Sequence, residues 1–138
     1  MAGEKDLEKL LRFMSPKLIE GEYVFCTIKD AGYGDFSETC PIASFVEPEG
    51  LSLVLLKSNA EKFELSYEGI FRCISLEIHS SLDAVGLTAA VSGTLASHGI
   101  AANVIAGYFH DHIFVPSEFA KHAIALLSLS SNQKTQNT

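Results

Sequence analysis

The order of patterns in the C-terminal half of this chain leaves few folds open to it. Phe71-Arg72-Cys73-Ile74-Ser75-Leu76-Glu77-Ile78 alternates, which predicts a strand with Arg72, Ile74, Leu76 and Ile78 on its core face. After a loop over 79–85, Leu87, Val91 and Leu95 recur every fourth residue, with Ala84, Thr88 and Thr94 beside them. The period has changed from that of a strand to that of a helix packed on a sheet. Gly99 fits a left-handed C-cap, across which Ile100 can touch Leu95. Asn103 to Phe109 and His112 to Val115 read as strands joined at His110-Asp111, residues that tolerate the positive φ of a two-residue turn. Pro116 ends the pair and can open a last helix with Phe119, His122, Ala123, Leu126 and Leu127 on one side. Strand, helix, strand, strand, helix is a crossover followed by a hairpin, the split βαβ of ferredoxin-like folds.

The first half is less regular. Leu7, Leu10, Leu11 and Met14 predict an amphipathic helix over 4–14 that Pro16 stops. Tyr23 to Ile28 reads as a strand, bounded by Gly21 and by a loop containing Asp30, Gly32 and Gly34. Ile42 to Val46 and Leu51 to Leu56 flank Glu47-Pro48-Glu49-Gly50 and predict a hairpin. A short helix over 59–65 follows, with Ser58 as N-cap and Glu61 as its capping-box partner. From Ser128 the sequence is polar and without periodicity, and is expected to fray.

Bulk properties exclude several classes of function. A chain of 138 residues, 47% of them hydrophobic, can bury a real core. Its net charge of −7, with the ten Lys and Arg scattered, argues against a nucleic-acid partner. No apolar run approaches the roughly 18 to 20 residues of a membrane helix, and the start lacks a signal-peptide pattern. The expectation is a cytoplasmic protein with no membrane partner. Cys26, Cys40 and Cys73 are an odd number without CxxC spacing, which suits reduced thiols, with Cys26 and Cys73 in the core. There is no GxSxG, P-loop or GxGxxG, no carboxylate pair with a reason for separated pKa values, and nothing beside Cys40 to activate it. An enzyme is not expected, nor a cofactor.

Two places invite a binding site. The loop from His79 to Leu87 runs from a strand end into a helix N-terminus, where free N–H groups and the helix dipole favour an anion such as an α-carboxylate. The plainer reading is that Ser80, Ser81 and Asp83 cap the helix and Gly86 eases its packing. Asn103 could bond a carboxylate or an α-amino group, or could merely satisfy an edge strand. His110-Asp111-His112 could contribute to a metal site, but His79, His98 and His122 lie on other elements, and turn chemistry explains the trio as well.

Asp83-Ala84-Val85-Gly86-Leu87 is similar to the acidic-x-x-Gly-aliphatic start of ACT domains, and Leu95 to Ile100 followed by Asn103 to Ala106 completes the pattern. Ser80 to Val91 with Asn103 to Pro116 resembles more closely a family of small bacterial ACT-like proteins of uncharacterised function. Gly21 to Phe25 and Phe45 to Leu51 extend the likeness into the first half, so that it covers nearly the whole chain apart from the tail. The layout is also similar to one half of the tandem-ACT arginine sensors of animal cells. The resemblance implies an α+β protein of two ferredoxin-like, βαββαβ-type ACT-like units sharing an antiparallel sheet. These are a degenerate unit over 1–69, with a loop from Lys29 to Pro41 where a crossover helix would lie, a unit over 70–128, and a polar tail over 129–138. It further implies a homodimer, and a small molecule, often an amino acid, held at the unit interface for regulation. The ligand-binding residues it points to are Ser81, Asp83, Val85, Gly86, Leu87 and Thr88, facing Asn103, Val104, Ile105 and Ala106, with no metal among them. A ligand-free protein–protein interaction module is the alternative, and a metal-binding protein a third.

Overall fold

The computed structural model describes residues 3–136, with side chains through Ser131. In chain order the elements are α1 (Leu7–Phe13), β1 (Pro16–Leu18), β2 (Tyr23–Ile28), β3 (Ala43–Glu47), β4 (Gly50–Leu56), α2 (Lys57–Lys62) and β5 (Phe71–Leu76). These are followed by α3 (Leu87–Ala96), β6 (Asn103–Ala106), β7 (Asp111–Pro116) and α4 (Ala120–Gln136). The chain is α+β, as the alternation of patterns predicts. Packing divides the described residues into two compact units, one made of residues 3–20 with 72–136, the other Gly21–Phe71.

In the first of these units β7 lies between β5 and β6, and β1 pairs with β5. The crossover through α3 therefore skips a strand, which is the split βαβ expected, and the flank of β5 is completed by a strand from the chain's N-terminus. Leu10 of α1 and Met14 at its C-cap, Ile74 and Leu76 of β5, Leu87, Val91 and Leu95 of α3, Ile113 and Val115 of β7, and Ala123 and Leu127 of α4 form one buried core. The Schellman end of α3 is present: Ile100 N donates to Leu95 O at 3.0 Å, Gly99 N to Ala96 O at 2.9 Å, and Gly99 has φ +72°.

Several local expectations change here. Helix α1 starts only at Leu7, because Asp6 caps it, accepting from Glu8 N at 3.0 Å. Strand β5 buries Cys73 and Ser75 as fully as Ile74 and Leu76, so its alternation does not separate a core face from a wet one. The β6–β7 turn is not two residues at His110-Asp111. Ala106 pairs with Asp111, Gly107 to His110 form the loop, and Gly107 N donates to His110 O at 2.9 Å. Neither His110 nor Asp111 has positive φ. On α4 the buried face is Ala120, Ala123, Leu127 and Ser131, whereas Phe119 and His122 are exposed. The helix continues past the expected fraying point to Gln136, because Ser131 is buried and its Oγ donates to Arg12 O at 2.8 Å. Residues 137 and 138 of the expected tail lie outside the described residues.

The unit Gly21–Phe71 has β4 between β3 and β2, all antiparallel, with a turn at Pro48-Glu49. Val24, Cys26, Leu51, Leu53, Leu55 and Ala60 are its core. Gly50 is obligatory at φ +149°, since a Cβ there would sit 2.6 Å from Ile28 O. Helix α2 follows β4 without a break, so Ser58 falls inside it and no side chain caps it. Residues 29–41 hold a 3-10 turn, Ser37–Thr39, and no α-helix.

Candidate ligand site at the start of α3

Gly86 is the N-cap of α3, left-handed at φ +104°, and the first-turn amides of the helix take no side-chain cap. Ser81 and Asp83 instead build the turn before it: Ser81 Oγ accepts from Asp83 N at 3.1 Å, and Ser81 O from Ala84 N at 3.0 Å. The capping role that Ser80, Ser81 or Asp83 could have filled is therefore unfilled, and the positive end of the helix dipole faces an opening.

The loop is held from beneath by the chain's own N-terminal segment. Glu4 N donates to His79 O at 2.9 Å and Ser81 N to Glu4 O at 2.8 Å. The two backbones are so close that a Cβ on Gly3 would meet the Ser80 carbonyl carbon at 2.5 Å, while Leu7 occupies the space a Cβ on Gly86 would need. This support fixes the loop without filling the opening above it.

That opening is a cleft of about 130 Å³. Ser80, Ser81, Leu82, Ala84, Gly86, Leu87 and Thr88 line one side, and Ala106 and Asp111 complete it. Ala106 and Asp111 are paired across β6 and β7, so their side chains share a face, and that face is the one α3 covers. Ser80 is almost wholly buried, and its Oγ donates to Asp111 Oδ2 at 3.4 Å. The start of α3 and the Asp111 carboxylate thus line one cleft, donors and an acceptor that together complement a small zwitterion.

Of the ten residues singled out from the sequence, Ser81, Gly86, Leu87, Thr88 and Ala106 line the cleft. Asp83 and Val85 are exposed on the loop and do not line it. Asn103 and Ile105 pair with Phe114 and His112, on the face of β6 opposite Ala106, and Val104 packs beneath α3 with Leu76, Leu87 and Val91. Sequence reasoning missed Ser80, Leu82, Ala84 and Asp111. The signal for Asp111 was Gly107: a turn beginning there makes Asp111, not His112, the first residue of β7 and the partner of Ala106.

His79, Tyr108 and Phe109, none of which lines the cleft, form a ring cluster with centroids 4.9, 5.0 and 5.9 Å apart. His112 Nδ1 lies 3.3 Å from Ile105 O, and among the described residues no group of three His, Cys, Asp or Glu side chains could hold a metal ion. A second hollow, between α1, α3 and α4, has polar groups only in Thr94 and Ser130, whose hydroxyls bond to carbonyls of their own helices. Burial pushes the Cys73 thiol up to about 11 and raises that of Cys26, while Cys40 is exposed.

No helix among the described residues is long and apolar enough to cross a membrane. No curated protein matches the chain. A solved Vibrio cholerae protein of unknown function, described as a possible transport protein, is 50% identical, with TM-score 0.83, over 92% of this chain and 97% of that one. A protein from Agrobacterium tumefaciens superposes with TM-score 0.70 at 18% identity, covering 84% and 87% of the two chains. The ligand-free regulatory subunit of aspartate kinase from Thermus thermophilus gives 0.57 at 13% identity, covering 83% and 95%, a likeness of fold. Two ACT-domain models match in tandem, over residues 2–72 and 68–128, each with the ferredoxin-like βαββαβ fold. The chain therefore belongs to the ACT-domain family.

Proposed function

We propose that this chain is a non-catalytic, cytoplasmic sensor that binds a free amino acid in the cleft at the start of α3. ACT domains are typically ligand-binding regulatory modules, and the observation that carries the reading to this place is the uncapped first turn of α3 with the Asp111 carboxylate lining the same cleft. The α-carboxylate bonds the amides near Leu87 and Thr88 and the α-ammonium bonds Asp111, each charge meeting its complement. The segments 1–69 and 70–128 are the two ACT-like units of this reading, working in a homodimer.

A thermal-shift screen of the twenty amino acids tests it. Binding to the folded state alone contributes about 2.7 kcal/mol at a hundredfold excess over Kd, so a clear rise in melting temperature is expected for a subset of them. A flat response to all twenty at millimolar concentration overturns the reading. A ligand-free interaction module is favoured by one different observation: β3 is an edge strand with Phe45 72% and Val46 56% exposed. A stoichiometric protein partner combined with a flat screen would establish that instead.

A further inference from the structure

We infer that His98 and His122 form a two-imidazole site for a divalent transition-metal ion, at the opposite end of α3 from the cleft. The ring centroids of the two histidines stand 5.7 Å apart, with their planes at 86° to each other. A ligating ring nitrogen lies about 2.0–2.1 Å from a tetrahedral ion and roughly 1.1 Å from its own ring centre, so two rings sharing the ion have centroids about 5 to 5.5 Å apart. The observed separation is only slightly wider. Rotation of an exposed imidazole within its broad χ2 well closes the difference.

The backbone fixes both positions. His98 follows the C-cap of α3, between buried Leu95 and Ile100, and His122 lies in the first turn of α4, between buried Ala120 and Ala123. All four flanking residues belong to one core, so the two imidazoles are presented together by rigid elements. The tautomer of His98 is set as well. Its Nδ1 lies 3.0 Å from Thr94 O, and a carbonyl can only accept, so Nδ1 carries the hydrogen and the lone pair of the neutral ring is on Nε2. An outer bond to a carbonyl is what orients a metal-ligating histidine. His122 is exposed with its ring against that of His98, and either of its nitrogens can turn to the same ion.

The donor set selects the ion. Two imidazoles with water in the remaining positions suit nickel, copper or zinc, whereas calcium and magnesium demand oxygen ligands. No third His, Cys, Asp or Glu joins the pair among the described residues, so water completes the coordination and the ion exchanges. The net charge of −7 favours the approach of any cation, and the imidazoles decide which is kept.

Isothermal titration of the full chain, free of any histidine tag, with nickel(II) tests the site. Saturable binding of a single ion is expected, and no heat of binding with calcium. His98→Gln and His122→Gln should each weaken nickel binding about tenfold or more, and the double substitution should add little to either, because losing one arm already ends chelation. His112→Gln and Cys40→Ser should leave the affinity within about twofold. Both histidines are exposed, and an unchanged circular-dichroism melt of the metal-free variants verifies the fold. The site is overturned by a lack of saturable nickel binding at millimolar concentration, or by unchanged affinity in either single variant at His98 or His122. Losses that simply add in the double variant, which mark two independent histidines, or an equal loss at His112 or Cys40, overturn it as well.

Discussion

The stretch that follows β5 and the stretch that follows β2 are handled oppositely in the two compact units. After β5, the chain turns through Ser81 to Gly86 and opens helix α3 with its first amides uncapped beside a cleft. After β2, residues 29–41 form a loop that bonds to its own surroundings. Gly32 N donates to Asp35 Oδ2 at 2.8 Å, Thr39 Oγ1 to Phe36 O at 2.7 Å, and Asn59 Nδ2 to Thr39 O at 3.1 Å. The difference teaches that a ferredoxin-like frame does not itself supply a ligand site. Among the described residues an uncapped helix start beside a cleft is found in the unit that holds α3, and the loop over 29–41 has no counterpart to it.

The contrast breaks first, and with the largest effect, at Leu95. It is fully buried on the core face of α3, and Leu95→Ala should cost about 2–5 kcal/mol in chemical denaturation. A loss under about 1 kcal/mol would mean that α3 is not the rigid support the cleft needs. In the other unit, Gly50→Ala places a Cβ 2.6 Å from Ile28 O at a positive φ and should cost about 1–3 kcal/mol by the same measurement, with amino-acid binding retained. Asp111→Asn sharpens the comparison from the ligand side. Amino-acid affinity should fall about tenfold or more by titration while stability changes by no more than about 1 kcal/mol. The smallest effect concerns the thiols. Of the three, Cys40 should react at once with a thiol reagent and Cys26 and Cys73 only on unfolding. Because burial keeps Cys73 protonated in the fold, its contribution to stability is whole below the ordinary thiol value of 9.0 and is lost as pH rises through about 11. Urea midpoints falling across that window, and restored by Cys73→Ala, would verify the sign.

Much of this was legible in the residues. Leu87, Val91 and Leu95 announced α3, and Gly99 with Ile100 announced its end, because helical spacing and a left-handed cap are local requirements. The five cleft residues Ser81, Gly86, Leu87, Thr88 and Ala106 were legible for the same reason, being attached to that helix start or to the strand beneath it. Asp111 was hidden by reading the turn as His110-Asp111 when it runs from Gly107 to His110, which moved Asp111 from a strand face into a turn. Asn103 and Ile105 were misleading because strand alternation tells which residues share a face but not which face a helix will cover.

What the sequence determined alone was the order of the elements other than β1, and the split crossover, since period, caps and turns act over a few residues, whereas β1 exists by its pairing with β5. Tertiary structure decided that residues 3–20 pack with the C-terminal half, that Glu4 and Gly3 brace the loop at Ser80, and that α4 persists beyond its amphipathic stretch. Those outcomes depend on contacts between residues far apart in the chain, such as Ser131 with Arg12, whose free energy no local pattern encodes.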